Sequence, residues 1–171
     1  MFGYAVRSFE NGDLQRLVEI EAASTAMLAA HGYPQLLQEE PITFADLASV
    51  ISQSDCSVAV ANDGTIAGFA YGHELGGIFW LAEMGVDPKF ARKGVGSLLL
   101  AEMMRIARRY DHAAIGLTTF ADVPFNAPFY ARRGFLIADP ATVEPVFTEQ
   151  LERENPEGCL LSDRVLMFRR L

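Results

Sequence analysis

The chain has 171 residues, half of them hydrophobic and 21% charged, which is the profile of one ordinary globular domain over residues 1–171. The net charge of −8 argues against nucleic-acid binding, which needs a basic face; it suits either an amine substrate drawn to an acidic cleft or solubility alone. There is no apolar run of membrane-spanning length and no signal-peptide pattern, and two cysteines are too few for a disulfide framework or a cysteine-based zinc site. We therefore expect a cytoplasmic protein without a metal.

Hydrophobic periodicity and turn residues divide the chain into elements in the order βααβββαβαβ(α)β. Strands are expected at residues 4–9, 56–61, 65–75, 78–86, 113–119, 135–138 and 164–169. Helices are expected at residues 13–29, 43–52, 94–110, 126–134 and 146–153, and residues 30–42 are expected to form a loop. An Asn-Asp-Gly hairpin signal at residues 62–64 makes residues 56–86 an antiparallel meander.

Polar residues at the helix ends refine these boundaries. Asp13, Thr43 and Asn126 each precede a predicted helix and are suitable capping residues. Glu21 falls inside the apolar face of the first helix. We interpret it as marking where that helix leaves the core; the alternative is that it faces a cleft.

The most informative stretch runs from residue 81 to residue 107, where an apolar strand ends at Asp87-Pro88 and a basic, glycine-containing loop opens a helix. Gly94 and Gly96 allow a tight turn and a close approach to a ligand. The first turn of a helix has free N–H groups and a partial positive charge, so it attracts anions. Arg92 and Lys93 add full charges at an end where cations are normally unfavourable, which indicates that a bound anion compensates them.

Two common phosphate motifs are excluded. The mononucleotide pattern G-x-x-x-x-G-K-S/T is absent, and the dinucleotide pattern G-x-G-x-x-G fails because Leu99 stands at its third glycine. The remaining possibility is a different ligand that contains a pyrophosphate, and coenzyme A is the obvious example.

The run V-D-P-K-F-A-R-K-G-V-G-S-L-L, residues 86–99, resembles the acyl-CoA motif of the GNAT superfamily of N-acetyltransferases, written V-x-P-x-x-Q/R-x-x-G-x-G/A. Val86, Pro88, Gly94 and Gly96 match, whereas Ala91 stands where the family usually has Gln or Arg. A second run, N-A-P-F-Y-A-R-R-G-F at residues 126–135, is similar to a later motif of the same family.

The resemblance implies an α/β (α+β) fold with a mixed, mostly antiparallel sheet of about seven strands flanked by helices. It also implies a gap between the fourth and fifth strands that admits the thioester end of acetyl-CoA, the expected co-substrate. In the family, strand backbone pairs with the pantetheine arm, the glycine loop holds the pyrophosphate, and a backbone N–H polarises the thioester. Carried onto this chain, the cofactor-binding residues are Met84, Gly85, Val86, Arg92, Lys93, Gly94, Val95, Gly96, Ser97, Asn126, Phe129 and Tyr130.

Two residues are candidates for proton transfer. Tyr130 matches the family tyrosine that protonates the departing thiolate, the alternative being a packing role among phenylalanines. Glu83 lies on the motif strand and is the candidate general base, although a water chain or a structural role is also open. His73 and Glu74 lie on the preceding strand, so one of them is also placed to face the cleft.

The expected activity is transfer of acetyl from acetyl-CoA to a primary amine of a small molecule or peptide by direct attack. Residues 30–42 and 139–160 are expected to select the amine, with Glu39 and Glu40 attracting a cation and Tyr33 and Trp80 stacking on a ring. Each of these four has an ordinary surface or core role as its alternative. Three other readings stay open: a non-catalytic acyl-CoA sensor, a different acyl donor, and a glycine loop that is only a turn. Many family members dimerise, so a homodimer is compatible with the resemblance.

Overall fold

The structure, a computed structural model, describes residues 3–171, which form one seven-stranded sheet and five α-helices. The strands are β1 (Tyr4–Ser8), β2 (Asp55–Ala61), β3 (Ile66–Leu75), β4 (Ile78–Val86), β5 (Ala114–Phe120), β6 (Leu136–Ala138) and β7 (Arg164–Arg170). The helices are α1 (Leu14–Ala30), α2 (Phe44–Ser52), α3 (Val95–Arg109), α4 (Ala127–Ala131) and α5 (Pro145–Glu154). This order confirms the predicted one, with boundaries that differ by a few residues.

The sheet order is β1-β2-β3-β4-β5-β7-β6, and every neighbouring pair is antiparallel except β4 with β5. That parallel pair is joined at only two positions, Phe79 with Ile115 and Trp80 with Gly116. Beyond them the two strands separate, while β5 continues along the full length of β7. The gap expected between the fourth and fifth strands is therefore present.

A bulge in β4 accompanies this separation. Tyr71 pairs with Glu83, but its neighbour Gly72 pairs with Leu81, so Ala82 is an extra residue in β4. Gly72 has no substitute here, because a Cβ would lie 2.4 Å from the carbonyl oxygen of Trp80.

Helices cover both faces of the sheet. On one face, α3 and α4 pack over a cluster that includes Phe79, Leu99, Met103 and Phe135. On the other, α1 and α2 bury Leu17, Ile20, Leu47 and Phe69, and α5 covers Trp80 through Phe147 and Leu151. Burial of these side chains, at about 1.5–3 kcal/mol each, supplies most of the driving force for folding. No helix in residues 3–171 has both the length and the apolar character that crossing a membrane requires.

Two capping expectations are wrong and one is confirmed. The Asp13 carboxylate does not cap α1; it makes a bidentate pair with Arg7 of β1 at 2.7 and 2.8 Å and accepts the Glu10 N–H. Asn126 precedes α4, but its side chain makes no capping bond. Thr43 does cap α2, since its Oγ1 accepts the Asp46 N–H at 3.1 Å.

The predicted loop over residues 30–42 contains a 3₁₀ turn, Pro34–Gln38, that buries Leu36. Glu39 then accepts the backbone N–H of Glu157 at 2.7 Å. This bond ties the loop to the segment before β7, so the two segments expected to select a substrate lie together.

Candidate active site

A cleft of about 1130 Å³ opens where β4 and β5 separate. Its walls come from α1, the end of β4, the loop into α3, the end of β5, α4, α5 and the start of β7. All the predicted cofactor-binding residues line it except Gly85 and Lys93. The site of Cβ on Gly85 faces Phe69, under α1, and the Lys93 ammonium donates to the Lys89 carbonyl at 3.0 Å.

One end of the cleft is the loop that leads into α3. The backbone N–H groups of residues 92–97 donate to no acceptor within the part of the chain that the structure describes. Arg92 has φ +62° and Gly94 has φ +88°, and these left-handed residues produce a tight turn in a loop that lines the cleft. A Cβ on Gly94 would meet nothing within 4 Å, so the space in front of the loop is open. Unpaired donors at a helix N-terminus are suited to a phosphate group.

Gly96 lines the cleft and also lies where α4 meets the start of α3. A Cβ there would lie 3.4 Å from the Phe129 ring, which α4 brings against the start of α3. Arg133 reinforces this contact: its guanidinium lies 3.6 Å from the centre of the Phe129 ring and donates to Ser97 Oγ at 2.6 Å and to the Phe129 carbonyl at 2.9 Å. Arg133 thus adds a positive charge beside the loop, a residue that the motif comparison did not single out.

A partly buried ion pair holds the end of β4, just before the glycine loop. The Asp87 carboxylate accepts the Lys89 N–H at 2.8 Å and pairs with Arg16 of α1, and these contacts hold its pKa below the ordinary value despite its burial. Arg16 also donates to the Ile66 carbonyl at 3.2 Å. The end of β4 is therefore fixed relative to α1 before the glycine loop begins.

Tyr130 lies on α4 with only 7% of its surface exposed, yet it lines the cleft. Its ring makes edge contacts with Phe129 and Phe135, at centroid distances of 5.1 and 5.5 Å. Burial, together with the nearby charge of Glu83, raises the pKa of the Tyr130 hydroxyl. The side chain is therefore a neutral phenol, held by packing and close to Glu83.

Glu83 projects from β4 beside the bulge. Its Oε1 accepts the N–H of Met84 at 3.1 Å. Burial, and then the charge of Glu21, raise the pKa of this carboxyl to about 8. A carboxyl with such a pKa titrates in the range useful to a general base near neutral pH.

Glu21 faces the same cleft from α1, so the interpretation that it marks the end of the buried helix is wrong and the alternative is correct. The helix continues to Ala30, and the side chain of Glu21 lies beside Glu83 because α1 packs directly on β4, with Ile20 near Gly85. Burial raises the pKa of the Glu21 carboxyl as well. Two carboxylates on different elements thus share one wall of the cleft.

The cleft also contains a polar network that the sequence did not indicate. The carboxylate of Glu154, in the last turn of α5, accepts the Trp80 indole N–H and the Gln150 amide, each at 2.8 Å, and also the Thr118 hydroxyl. Arg164 of β7 donates to Thr118 Oγ1 at 2.6 Å. Residues 118, 150, 154 and 164 all line the cleft.

Only some of the residues expected to recognise the amine substrate line the cleft. Trp80 is fully buried beneath α5 and Tyr33 is 7% exposed against Phe120, so neither presents a face for stacking on a ring. Of the two acidic residues, Glu39 lines the cleft and Glu40 does not; of the pair on β3, His73 lines it and Glu74 is exposed outside it.

Residues 14–135 match the family model of the acetyltransferase (GNAT) family. The match covers well over half of the chain, so the protein belongs to this family, as its two motifs predicted.

Solved structures share the fold at low sequence identity. PaiA N-acetyltransferase from Thermoplasma acidophilum, in complex with coenzyme A, is 20% identical with a TM-score of 0.74, over 98% of this chain and 99% of that one. A GCN5-related N-acetyltransferase from Rhodopseudomonas palustris is 21% identical with a TM-score of 0.75, over 100% and 98%. The ribosomal-protein-S18-alanine N-acetyltransferase from Escherichia coli is 19% identical with a TM-score of 0.69, over 98% and 93%.

Proposed function

We propose that this protein transfers the acetyl group of acetyl-CoA to the primary amine of a small molecule or peptide by direct attack. One observation carries the proposal: a single cleft is lined by unpaired backbone donors, a carboxyl with a pKa of about 8 and a buried phenol. These are the groups that acyl transfer between a phosphorylated thiol and an amine requires.

The cofactor end of the cleft fits coenzyme A. The N–H groups of residues 92–97 would bind the pyrophosphate, with Arg92 and Arg133 adding charge. Met84 and Val86 would pair with the pantetheine arm, because β4 has no β5 partner beyond Trp80. Asn126 and Phe129 line the wall between these two regions. A solved structure with the same fold that contains coenzyme A supports this assignment.

Bound acetyl-CoA supplies a thioester whose carbonyl carbon forms a bond to the amine nitrogen as the carbon–sulfur bond breaks. Glu83 accepts the proton that the amine must lose to become a nucleophile. A backbone N–H near Met84 or Gly85 stabilises the charge that develops on the carbonyl oxygen. Tyr130 donates its proton to the departing thiolate.

A binding titration and a turnover assay test this function. Isothermal calorimetry with acetyl-CoA, CoA and NADH should show binding of the first two and none of the third. Thiol release on adding a panel of amines should then identify turnover. Binding without turnover of any amine would favour the non-catalytic sensor, and no binding of acetyl-CoA or CoA would mean that the glycine loop is only a turn.

A further inference from the structure

Arg164 has too few partners for a buried guanidinium. It is the first residue of β7, paired in the sheet with Phe120, and its side chain is only 10% exposed. The guanidinium lies 4.9 Å from the centre of the Phe120 ring and lines the cleft. Its only hydrogen bond within residues 3–171 goes to Thr118, and its Nε is buried without an acceptor. Guanidinium groups in such places usually make paired bonds to a carboxylate or phosphate.

The nearest carboxylate does not supply those bonds. Glu154 Oε2 is 4.0 Å from Arg164 Nη2, beyond hydrogen-bonding distance. Both oxygens of Glu154 are already occupied by Trp80, Gln150 and Thr118. The Glu154 carboxylate is thus hydrogen-bonded without Arg164, to which it is joined only by a long ion pair, and the donors of Arg164 remain available to another anion.

Two acidic residues that line the same cleft, Glu21 and Glu83, lack a cationic partner within residues 3–171. Glu21 and Glu83 form no ion pair in the described part of the chain, and Glu83 accepts only the Met84 N–H. Burial and the charges of Glu21 and Glu154 raise the pKa of Glu83, and the charge of Arg164 acts in the opposite direction, so Arg164 is near enough to Glu83 to interact with it. The cleft therefore contains two acidic residues without a cationic partner among the described residues and an arginine with unused donors that is near enough to act on Glu83.

We propose that the acceptor is an amino acid or a similar zwitterion, whose ammonium group binds Glu21 and Glu83 and whose carboxylate binds Arg164. This inference rests on the proposed function and names its substrate class. An amine without an acidic group would leave Arg164 as under-satisfied as it is in the free protein. A zwitterion supplies a cation to Glu21 and Glu83 and an anion to Arg164, and it holds its nitrogen beside Glu83.

Matched acceptors test the inference on the unmodified protein. Thiol release from acetyl-CoA is measured with each standard amino acid, its carboxamide and its decarboxylated amine. The best amino acid should exceed its two counterparts in kcat/KM by about 10- to 100-fold, the usual consequence of losing one charge-assisted hydrogen-bonded contact. Equal or faster turnover of the counterparts would overturn the inference.

Two variants identify the residue responsible. Arg164→Gln should reduce the preference for the carboxylate to less than about 3-fold, and Arg164→Lys should keep part of it, because a lysine retains charge without paired donors. Arg153→Gln, at a residue of α5 that is 68% exposed, is the control and should keep the full preference. Equal losses for both acceptor types in Arg164→Gln would refute an anion site at this residue.

Calorimetry with acetyl-CoA separates the two proposals. Absence of acetyl-CoA binding to the unmodified protein would overturn the proposed function and the inference together. Binding with turnover of amines alone would overturn only the zwitterionic acceptor. Binding with no turnover of any amino acid would also refute it.

Discussion

Replacing Glu83 with glutamine should stabilise the free protein at alkaline pH. Glutamine has the shape of the protonated carboxyl but cannot ionise. In the folded protein the pKa of Glu83 is raised from an ordinary 4.5 to about 8, mainly because burial penalises the charged form and secondarily because Glu21 repels it. The fold therefore favours the protonated form of Glu83, and ionising it costs stability.

The sign and size follow from linkage. A carboxyl whose pKa is raised by folding contributes its stabilisation fully below the unfolded pKa and loses it as the pH rises through the folded pKa. Between pH 5 and pH 9, a pKa of about 8 implies that the wild-type protein loses about 4 kcal/mol through Glu83. Unfolding free energies are typically about 5–15 kcal/mol, so this loss is large.

The assay is urea denaturation of the wild-type protein and of Glu83→Gln at intervals from pH 5 to pH 9. The difference in unfolding free energy between the two proteins should grow with pH in favour of the variant. For a chain of this length, that difference corresponds to a melting-temperature gap of roughly 8–16 °C at pH 9. Glu74→Gln, at an exposed site on the neighbouring strand, controls for the loss of one negative charge.

Parallel stability curves for wild type and Glu83→Gln would refute the reasoning. They would mean that the Glu83 carboxyl is hydrated like an exposed one and ionises freely in the folded protein. A growing difference for Glu74→Gln of the same size would attribute the effect to net charge rather than to the cleft.

Three further predictions concern turnover and cofactor binding. Tyr130→Phe should keep acetyl-CoA affinity and lose about 10²-fold or more in kcat, as expected when a proton donor is removed. Gly94→Ala and Gly64→Ala, at φ +88° and +87° with open space around each, should both cost about 1–2 kcal/mol of stability, but only Gly94→Ala should weaken acetyl-CoA binding in calorimetry. Glu21→Gln should move the acid limb of the kcat/KM profile to lower pH, because Glu83 loses a like charge that raises its pKa.

Each of these has a contradicting result. Unchanged turnover in Tyr130→Phe would show that the thiolate takes its proton from another source. Equal effects of the two glycine changes on acetyl-CoA affinity would mean that the loop before α3 is not the phosphate site. An acid limb that stays in place in Glu21→Gln would show that Glu21 and Glu83 do not interact.

Local patterns were sufficient for most of the fold. The meander from β2 to β4 follows from alternating residues and an Asn-Asp-Gly turn, and α3 follows from an apolar face at helical spacing. The gap between β4 and β5 was predicted only through family resemblance. Nothing in the periodicity of either strand specifies that their pairing stops after two residues.

The errors arise where tertiary contacts decide the role of a side chain. Asp13 suits a helix cap, but β1 brings Arg7 alongside, and a bidentate ion pair replaces the capping bond. Glu21 interrupts an apolar helix face, and only the packing of α1 on β4 shows that this interruption opens onto a cleft.

Local sequence patterns do not indicate the polar network of Glu154 and Arg164. Glu154 and Arg164 lie in the last third of the chain, outside both motifs and beyond the matched family region. They reach the cleft because α5 folds back over Trp80 and because β7 pairs with β5. Glu154 and Arg164 are ten residues apart in the chain, and that spacing alone does not specify that their side chains lie close together.

The two-residue contact between β4 and β5 also determines where backbone amides exchange with solvent. The central strands of a sheet are usually the slowest to exchange hydrogen for deuterium. Here the centre contains an internal edge, because β4 beyond Trp80 is paired only with β3. The amides of residues 82–86 that point away from β3 should therefore exchange faster than those between β2 and β3. A ligand that pairs with this internal edge should slow their exchange, because it would take the place of the missing neighbouring strand.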